Sequence, residues 1–260
     1  MCGTIDFKKT KANVTYEAST FWLGGIGPAF SSTIKIHDEI NRDAIELVRR
    51  YYETLAEVNR RYAEEIGHPE SEPLANFQLD SPGGNVEAGI ELGRFIREKK
   101  GNVLVIDGAA CASTCVLVFA GGATRHVNGK LGIHRVFINT STRTMTADDI
   151  KKTMALRLDQ LRAYFREMNI SERLADDMMV IPSTNMKWLS AADIEIYGLG
   201  VDDPVIQEAN ALKNARKYGL TRMEYERRWQ IVREVCALSA DTPDNCEDLV
   251  MTGKYPGGAR

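Results

Sequence analysis

The sequence predicts an α/β protein in which helices flank a largely parallel β-sheet. Strand-like and helix-like segments alternate between residues 33 and 134. Residues 102–106 read Asn-Val-Leu-Val-Ile, a nearly continuous apolar run that is typical of a strand buried on both faces. Apolar residues recur at helical spacing along residues 43–66 and again along residues 147–168. Parallel strands joined by helical crossovers account for all three patterns.

Each element follows from its own local signals. Residues 43–66 form the first predicted helix, which Asn41 or Asp43 can cap. Thr146 and Asp149 have the spacing of a capping box at the start of a later helix. The predicted strands are residues 33–36, 74–79, 102–106, 123–127 and 131–134. The predicted helices are residues 43–66, 86–99, 113–120, 147–168, 171–180 and 190–197.

Three regions are expected along the chain. Residues 1–30 are rich in Gly, Thr and Lys and are predicted to be irregular. Residues 31–204 should form the α/β domain, and residues 205–260 should form a helical C-terminal tail. A chain of 260 residues with 43% hydrophobic content can build one sizeable core, or one core plus an appendage.

Charge and hydropathy exclude two classes of partner. The net charge is −3 and no basic face is evident, so no nucleic-acid partner is expected. No stretch approaches the roughly 18 apolar residues that a membrane span needs. The N-terminus also lacks the basic start, apolar stretch and cleavage site of a signal peptide. The chain as written is therefore expected in the cytoplasm, or in the periplasm if an export signal has been removed.

Four of the five cysteines lie near one another in pairs, Cys111 with Cys115 and Cys236 with Cys246. Free, buried thiols are the simplest expectation for them. A disulfide between Cys236 and Cys246 is the alternative if the protein is exported. No Cys-x-x-Cys pair occurs and only four histidines are present, so neither a metal site nor a cofactor is expected.

The first segment with chemical potential is residues 79–85, Leu-Asp-Ser-Pro-Gly-Gly-Asn, between a predicted strand and a predicted helix. Proline fixes one φ angle, and the two glycines admit φ values that other residues resist. Such a turn can expose backbone N–H groups where an oxyanion forms. An ordinary strand-to-helix turn has the same composition, so the segment alone does not decide between these interpretations.

Two further segments supply a nucleophile and a base. In residues 107–115, Asp-Gly-Ala-Ala-Cys-Ala-Ser-Thr-Cys, a buried strand ends and Ser113 opens a helix, beside unpaired N–H groups. Ser113 could equally be a helix cap. In residues 129–135, Gly-Lys-Leu-Gly-Ile-His-Arg, His134 ends a short apolar strand and can reach a neighbouring strand-to-helix junction. A core or surface histidine with a hydrogen-bond partner is the alternative.

The order and spacing of these segments resemble the proteolytic subunit of Clp protease. Ser113 follows Gly84 by 29 positions, and His134 follows Ser113 by 21. The similarity continues through Lys-Trp-Leu-Ser-Ala-Ala at residues 187–192 and Tyr-Gly-Leu at residues 197–199. It covers roughly residues 74–203, about half of the chain. The Cys-Ala-Ser-x-Cys sequence around the serine is similar to a bacterial group of ClpP-like proteins that are usually predicted to be exported.

The resemblance implies a ClpP/crotonase-like fold and a serine peptidase. Matched by position, Ser113 is the nucleophile, His134 is the general base, and the backbone N–H groups of Gly84 and Thr114 form the oxyanion hole. The implied substrate is a peptide or a protein. The resemblance also implies a homo-oligomer, and no feature of the sequence specifies an ATPase partner.

The third catalytic group is not assigned by the resemblance. The Clp family places an aspartate shortly before the Leu-Ser-Ala segment to orient its histidine, whereas this chain has Pro182 or Ser183 near that position. Asp176 and Asp177 lie a few residues earlier, and a loop insertion could restore one of them. Ser183 or Asn185 could orient the imidazole by hydrogen bonding instead. A weakened dyad with no third residue is the remaining alternative.

Other functions stay open at this point. A catalytically weak relative that binds peptides or serves as a scaffold would keep the fold without an activated Ser113. A crotonase-like acyl-CoA enzyme uses backbone oxyanion donors but needs no serine–histidine pair at this spacing. A nucleophile at Cys2, as in glutamine amidotransferases, would require Arg- and Asn-Gly-containing motifs that the following sequence lacks.

Overall fold

The computed structural model describes residues 14–23, 27–66, 75–137, 146–236 and 245–255. The strands are β1 (Val14–Leu23), β2 (Gly27–Ile40), β3 (Asn76–Gly84), β4 (Asn102–Val105), β5 (Ala110–Ala112), β6 (Thr124–Val127), β7 (Lys130–Ile133) and β8 (Lys187–Trp188). The helices are α1 (Arg42–Ile66), α2 (Val86–Glu98), α3 (Thr114–Ala120), α4 (Ala147–Glu167), α5 (Arg173–Val180), α6 (Ala191–Tyr197), α7 (Pro204–Lys217), α8 (Arg222–Val235) and α9 (Cys246–Met251). None of these helices combines the length and the apolar composition that crossing a membrane requires.

Most of the described strands pair in parallel. β2 pairs with β3, β3 with both β4 and β5, β4 with β6, and β5 with β7, all in parallel, whereas β8 runs antiparallel to β7. Parallel neighbours need crossover connections, and α1, α2 and α3 lie between successive strands of the sheet. The predicted α/β fold with a largely parallel sheet is therefore confirmed.

β3 changes partner along its length, and this change places the functional segments. Its first residues pair with β4, where Phe77 lies opposite Val103, and a later residue pairs with β5, where Ser81 lies opposite Cys111. β5 pairs in turn with β7, where Cys111 lies opposite Leu131. Because the carboxyl ends of parallel strands meet at the same edge, the three segments singled out in the sequence follow neighbouring strand ends.

Helices cover this sheet with apolar side chains. Phe77, Phe119 and Phe165 are fully buried. Tyr164 of α4 is also buried, and its hydroxyl donates a hydrogen bond to the Leu117 carbonyl of α3 at 2.6 Å. The short helix that follows the candidate nucleophile is thus packed against a long one.

The described residues form two compact units. Unit 1 contains those up to residue 21 and residues 30–203, and unit 2 contains residues 22–29 and those from residue 204 onward. Unit 2 has an apolar core of its own, to which α7, α8 and α9 all contribute side chains. The described part of the expected helical tail thus contains three helices and belongs to a unit with a separate core.

The predicted starts of helices α1 and α4 are confirmed, whereas the predictions for the N-terminal region and for the glycine pair at residues 83–84 are wrong. Asn41 caps α1 by accepting a hydrogen bond from the Ala44 N–H at 3.0 Å, and Thr146 with Asp149 forms the expected capping box of α4. Residues 1–30 were expected to be irregular, but β1 occupies residues 14–23 and β2 begins at residue 27. The glycine pair expected in a sharp turn belongs to β3, which continues to its last glycine.

Candidate active site

Parts of all three segments line one cavity of about 540 Å³. Gly84 comes from the end of β3, Ser113 and Thr114 from the junction of β5 and α3, and His134 from the chain after β7. The fold therefore brings together all four residues that the resemblance assigns to catalysis. The cavity is also lined by Glu39, Glu87, Val136, Phe137 and Arg157.

Ser113 occupies an unfavourable backbone conformation at the turn from β5 to α3. Its φ is 57° and its ψ is −123°, a region that residues with side chains rarely adopt. Its N–H donates a hydrogen bond to the Gly132 carbonyl of β7 at 2.8 Å. Its side chain makes no capping hydrogen bond to α3, which removes the alternative that Ser113 is simply a helix cap. Strain of this kind clusters at functional sites and persists only where the surroundings enforce it.

Gly83 and Thr114 bring the ends of β3 and β5 into close contact. Gly83 has a φ of 104°, and a Cβ atom there would lie 2.8 Å from Ser113 Cβ and 2.9 Å from Thr114 N. Thr114 is 2% exposed, and its hydroxyl donates a hydrogen bond to the Gly84 carbonyl at 2.9 Å. The Thr114 N–H belongs to the first turn of α3, whose N–H groups have no partner within the helix. This N–H is therefore suited to bind an oxyanion.

The last residues of β3 are fixed by Ser81, a residue for which the sequence predicts no role. Ser81 is buried; its hydroxyl donates a hydrogen bond to the Asp38 carbonyl and accepts one from the Gly83 N–H at 3.1 Å. Asp80 accepts a further hydrogen bond from the Ala110 N–H at 3.0 Å, which ties β3 to β5. Because the Gly83 N–H has a partner, Gly84 is the better oxyanion donor at the end of β3.

His134 is half-buried, and its Nδ1 atom lies 2.9 Å from the carbonyl oxygen of Arg135. A carbonyl only accepts hydrogen bonds, so this contact favours the tautomer that carries its proton on Nδ1. That tautomer leaves a lone pair on Nε2, as a general base requires. The group that orients His134 is thus part of the main chain, and the sequence carries no signal for such a partner.

The carboxylates considered for the third position have other partners. Asp177 accepts a hydrogen bond from the Tyr197 hydroxyl at 2.6 Å, and Asp176 pairs with Arg162 at 2.6 Å. The Arg135 N–H donates a hydrogen bond to the carbonyl of residue 181 at 2.8 Å, which brings the chain before Ser183 alongside the histidine. Although this chain lies nearby, the hydrogen bond of His134 Nδ1 is to the backbone carbonyl of Arg135.

Opposite charges from α2 and α4 meet at the cavity wall. Glu87 and Arg157 are 2.7 Å apart. Partial burial opposes ionisation of Glu87, but hydrogen bonds from Arg157 and from the backbone bring its pKa below the usual range. The Arg157 charge is therefore largely neutralised, and the wall also presents the exposed carboxylate Glu39.

The simplest expectation for the paired cysteines, free thiols, is wrong. Cys111 and Cys115 form a disulfide across Ser113 with a Cα–Cα distance of 5.2 Å, and both residues are fully buried. Cys236 and Cys246 form a second disulfide with a Cα–Cα distance of 5.9 Å, which is the alternative raised by the sequence. The fifth cysteine lies outside the described residues.

No family model matches this chain, and no curated protein matches it. Among solved structures, ClpP1 from Listeria monocytogenes matches with a TM-score of 0.45 and 21% identity, over 64% of this chain and 87% of that one. A mutant of ClpP1 from the same organism gives a TM-score of 0.46 with the same identity and coverage. A mutant of the 1510-N membrane-bound stomatin-specific protease gives 0.44 and 17% identity, over 64% of this chain and 74% of that one. ClpP1 structures are among those that this chain resembles.

Proposed function

We propose that this protein is a serine hydrolase that cleaves peptide bonds, with Ser113 as nucleophile and His134 as general base. One observation carries the proposal. The Ser113 side chain caps no helix, although the residue sits in a strained turn at a helix start, and it shares a cavity with an imidazole whose backbone contact favours the tautomer of a general base. A serine with a purely structural role would need neither the strained backbone nor the nearby imidazole.

The mechanism is acyl transfer. His134 Nε2 takes the proton of the Ser113 hydroxyl, and the oxygen attacks the substrate carbonyl. The N–H groups of Gly84 and Thr114 hold the negative charge that develops on the carbonyl oxygen. His134 then gives its proton to the leaving amine, and water releases the acyl group by the same steps in reverse.

The Arg135 carbonyl takes the place of a triad carboxylate, and this difference determines how fast a catalyst we expect. In a triad, the carboxylate both fixes the histidine tautomer and stabilises the imidazolium that forms. The carbonyl can perform the first task but carries no charge for the second. Replacing a triad carboxylate by an amide costs about 10⁴ in turnover through the wrong tautomer. Because this site keeps the right tautomer, we expect a smaller deficit and slow but measurable turnover.

A fluorophosphonate probe tests the proposal, because it reacts covalently with activated serines. The wild-type protein should label, Ser113→Ala should not label, and His134→Ala should label far more slowly. Ser171→Ala, outside the cavity, is the matched control and should label at the wild-type rate. Persistent labelling of Ser113→Ala, or a folded wild-type protein that does not label, would contradict the proposal.

An internally quenched peptide library tests the bond that is cleaved. Peptide cleavage by the wild-type protein that is lost in Ser113→Ala supports a peptidase. Labelling accompanied by hydrolysis of activated esters alone would restrict the activity to other acyl compounds. Sedimentation of the active species tests the expected homo-oligomer, whose subunit number we leave open.

The second candidate is a catalytically weak relative that binds peptides or serves as a scaffold. It is favoured by the uncharged partner of the His134 imidazole, since a site under no demand for turnover would need no carboxylate. Its signature is peptide binding by both the wild-type protein and Ser113→Ala, with labelling of neither.

A further inference from the structure

The Cys111–Cys115 disulfide brackets Ser113, and we propose that it positions the Ser113 hydroxyl and the Thr114 N–H for catalysis. The inference rests on the proposed function of Ser113. Both cysteines are fully buried, so their role is to position the turn between them and not to contact a substrate. Only the disulfide-bonded form should reach the full rate of acyl transfer.

The bond joins the strand before Ser113 to the helix after it. Cys111 is the middle residue of β5, where it lies opposite Ser81 of β3 and Leu131 of β7. Cys115 is the second residue of α3. Their Cα–Cα distance of 5.2 Å is normal for a disulfide. A covalent link therefore connects the middle of the sheet to the first turn of the helix.

The turn inside this link needs restraint. The positive φ of Ser113 is unfavourable for a residue with a side chain. α3 has only seven residues, so its position depends on what holds it to its neighbours and not on its own hydrogen bonds. The neighbours Ala110 and Ala112 contribute only small side chains. If the turn relaxed toward a more favourable φ, it would carry the hydroxyl of Ser113 and the N–H of Thr114 away from their positions.

The hydrogen bonds at the turn each orient one group. The Ser113 N–H is held by the Gly132 carbonyl, and the Thr114 hydroxyl is held by the Gly84 carbonyl. The disulfide instead limits the distance between the two ends of the turn. A misplacement of about 1 Å at a reacting group can cost on the order of 10²-fold in rate. Loss of this restraint should therefore lower turnover more than it weakens substrate binding.

Formation of the bond is a two-electron oxidation. The Cys111 and Cys115 thiols give up two protons and two electrons in forming the S–S bond. A disulfide oxidant, such as oxidised glutathione or a thiol–disulfide oxidoreductase, accepts them and leaves as two thiols. Because both sulfurs are buried, later exchange requires the turn to open. We expect the bond to form in an oxidising compartment and to persist in the folded protein.

The chain supplies a matched control for this bond. The Cys236–Cys246 disulfide joins the end of α8 to the start of α9 in unit 2. Its removal also releases the unfolded chain from a covalent loop, but it leaves the turn at Ser113 unchanged. A comparison of the two bonds separates positioning from general stabilisation.

The test compares Cys111→Val/Cys115→Ala with Cys236→Ala/Cys246→Ala, both in a parent that carries Cys2→Ser to avoid an unpaired thiol. Valine in the strand and alanine in the helix replace much of the lost volume. Circular dichroism establishes folding, and the readouts are the fluorophosphonate labelling rate and kcat and KM for an activated ester. The first variant should lose about tenfold or more in labelling and kcat, with KM changed less than about twofold. The second should match the parent.

A folded first variant that labels at the parent rate overturns the inference, as does an equal loss in both double variants. If the first variant does not fold, phosphine reduction of the folded parent replaces it. Labelling should then fall in proportion to the opened bond between residues 111 and 115, counted by alkylation and mass spectrometry, and labelling independent of that fraction overturns the inference.

Failure of the proposed function has a different signature, since the parent itself would then not label. In that case, amide hydrogen exchange decides about the turn. Loss of the first disulfide should speed exchange across residues 111–116 and leave exchange in unit 2 unchanged. Unaltered exchange across the turn overturns the inference.

Discussion

At the scale of single residues, Gly83 sets the distance between the end of β3 and the candidate nucleophile. A Cβ atom at this position would lie 2.7 Å from the Ala112 carbonyl oxygen and 2.8 Å from Ser113 Cβ. These atoms belong to the backbone or are bonded directly to it, so they cannot rotate away. The close approach of the end of β3 to the turn at Ser113 therefore depends on the absence of a side chain at Gly83 as much as on the positive φ of that glycine.

Gly83→Ala should accordingly reduce fluorophosphonate labelling by on the order of 10²-fold, because the clash pushes Ser113 and Thr114 away from the end of β3. Gly108→Ala is the matched control: its φ is 80°, but nothing lies within 4 Å of the added atom. The control should cost about 1–2 kcal/mol of stability through its backbone alone and should label normally. Similar labelling by the two folded variants would contradict this account.

Residue identity predicts the candidate site only in part. The serine, the histidine and the oxyanion turn carry side chains or glycines in a recognisable order, so the sequence shows them. The partner of His134 is a carbonyl, which every residue has, and no sequence pattern distinguishes it. The Cys111–Cys115 disulfide could not be predicted, because a separation of four residues does not distinguish two bonded cysteines from two free thiols.

At the scale of elements, a capping box holds β8 and α6 beside the strand that leads to His134. Lys187 of β8 lies opposite Ile133 of β7 and pairs with Asp193 at 2.8 Å. Asp193 also accepts a hydrogen bond from the Ser190 N–H at 2.9 Å. The hydrogen bonds with Lys187 and Ser190 lower the pKa of Asp193 from 3.8 to about 2.

Asp193→Asn should therefore destabilise unit 1 by up to about 1 kcal/mol at neutral pH, because it removes the negative charge that pairs with Lys187 and lies in the first turn of α6. The folded pKa is depressed, so the carboxylate contributes fully above pH 3.8 and loses its contribution as the pH falls toward about 2. Urea denaturation at a series of pH values measures the difference from the wild type. Asp159→Asn, at an exposed carboxylate 3.7 Å from its arginine, is the control and should change little. A deficit that stays constant down to pH 2 would contradict the assignment.

Elements with a strong local signal were predicted, and elements made by tertiary pairing were not. The helices α1 and α4 carry apolar residues at helical spacing and their own caps, so their bounds follow from the sequence. β5 consists of Ala-Cys-Ala and becomes a strand only because β3 and β7 lie on either side of it. β8 is a two-residue strand that depends in the same way on β7.

At the scale of the whole molecule, a buried network of charged side chains holds the C-terminal end of unit 1 against α2 and β6. Asp203 is fully buried; it pairs with Arg97 of α2 and accepts a hydrogen bond from the Asn169 side chain at 3.1 Å. Arg125 of β6 is also buried and donates to the Val201 carbonyl at 3.0 Å. Burial lowers the pKa of Arg125, and the charge of Asp203 opposes this effect. The end of unit 1 is thus tied to its centre by charge.

Asp203→Asn should lower the free energy of unfolding of unit 1 by about 3 kcal/mol, because it leaves a largely buried guanidinium without its counter-ion. Glu91→Gln, at an exposed pair with Arg49, should cost less than about 1 kcal/mol. Urea denaturation of both variants measures the contrast. Equal losses would show that the buried network contributes no more than a surface pair.

The contact between His134 and the carbonyl of Arg135 determines how the site responds to mutation. A triad carboxylate can be removed by changing one codon, whereas a main-chain oxygen is present whatever amino acid is encoded at position 135. Drift at this site can therefore alter the arginine side chain and leave the imidazole oriented. Only a change in the path of the backbone, such as an insertion directly after β7, would move the carbonyl oxygen away from the imidazole.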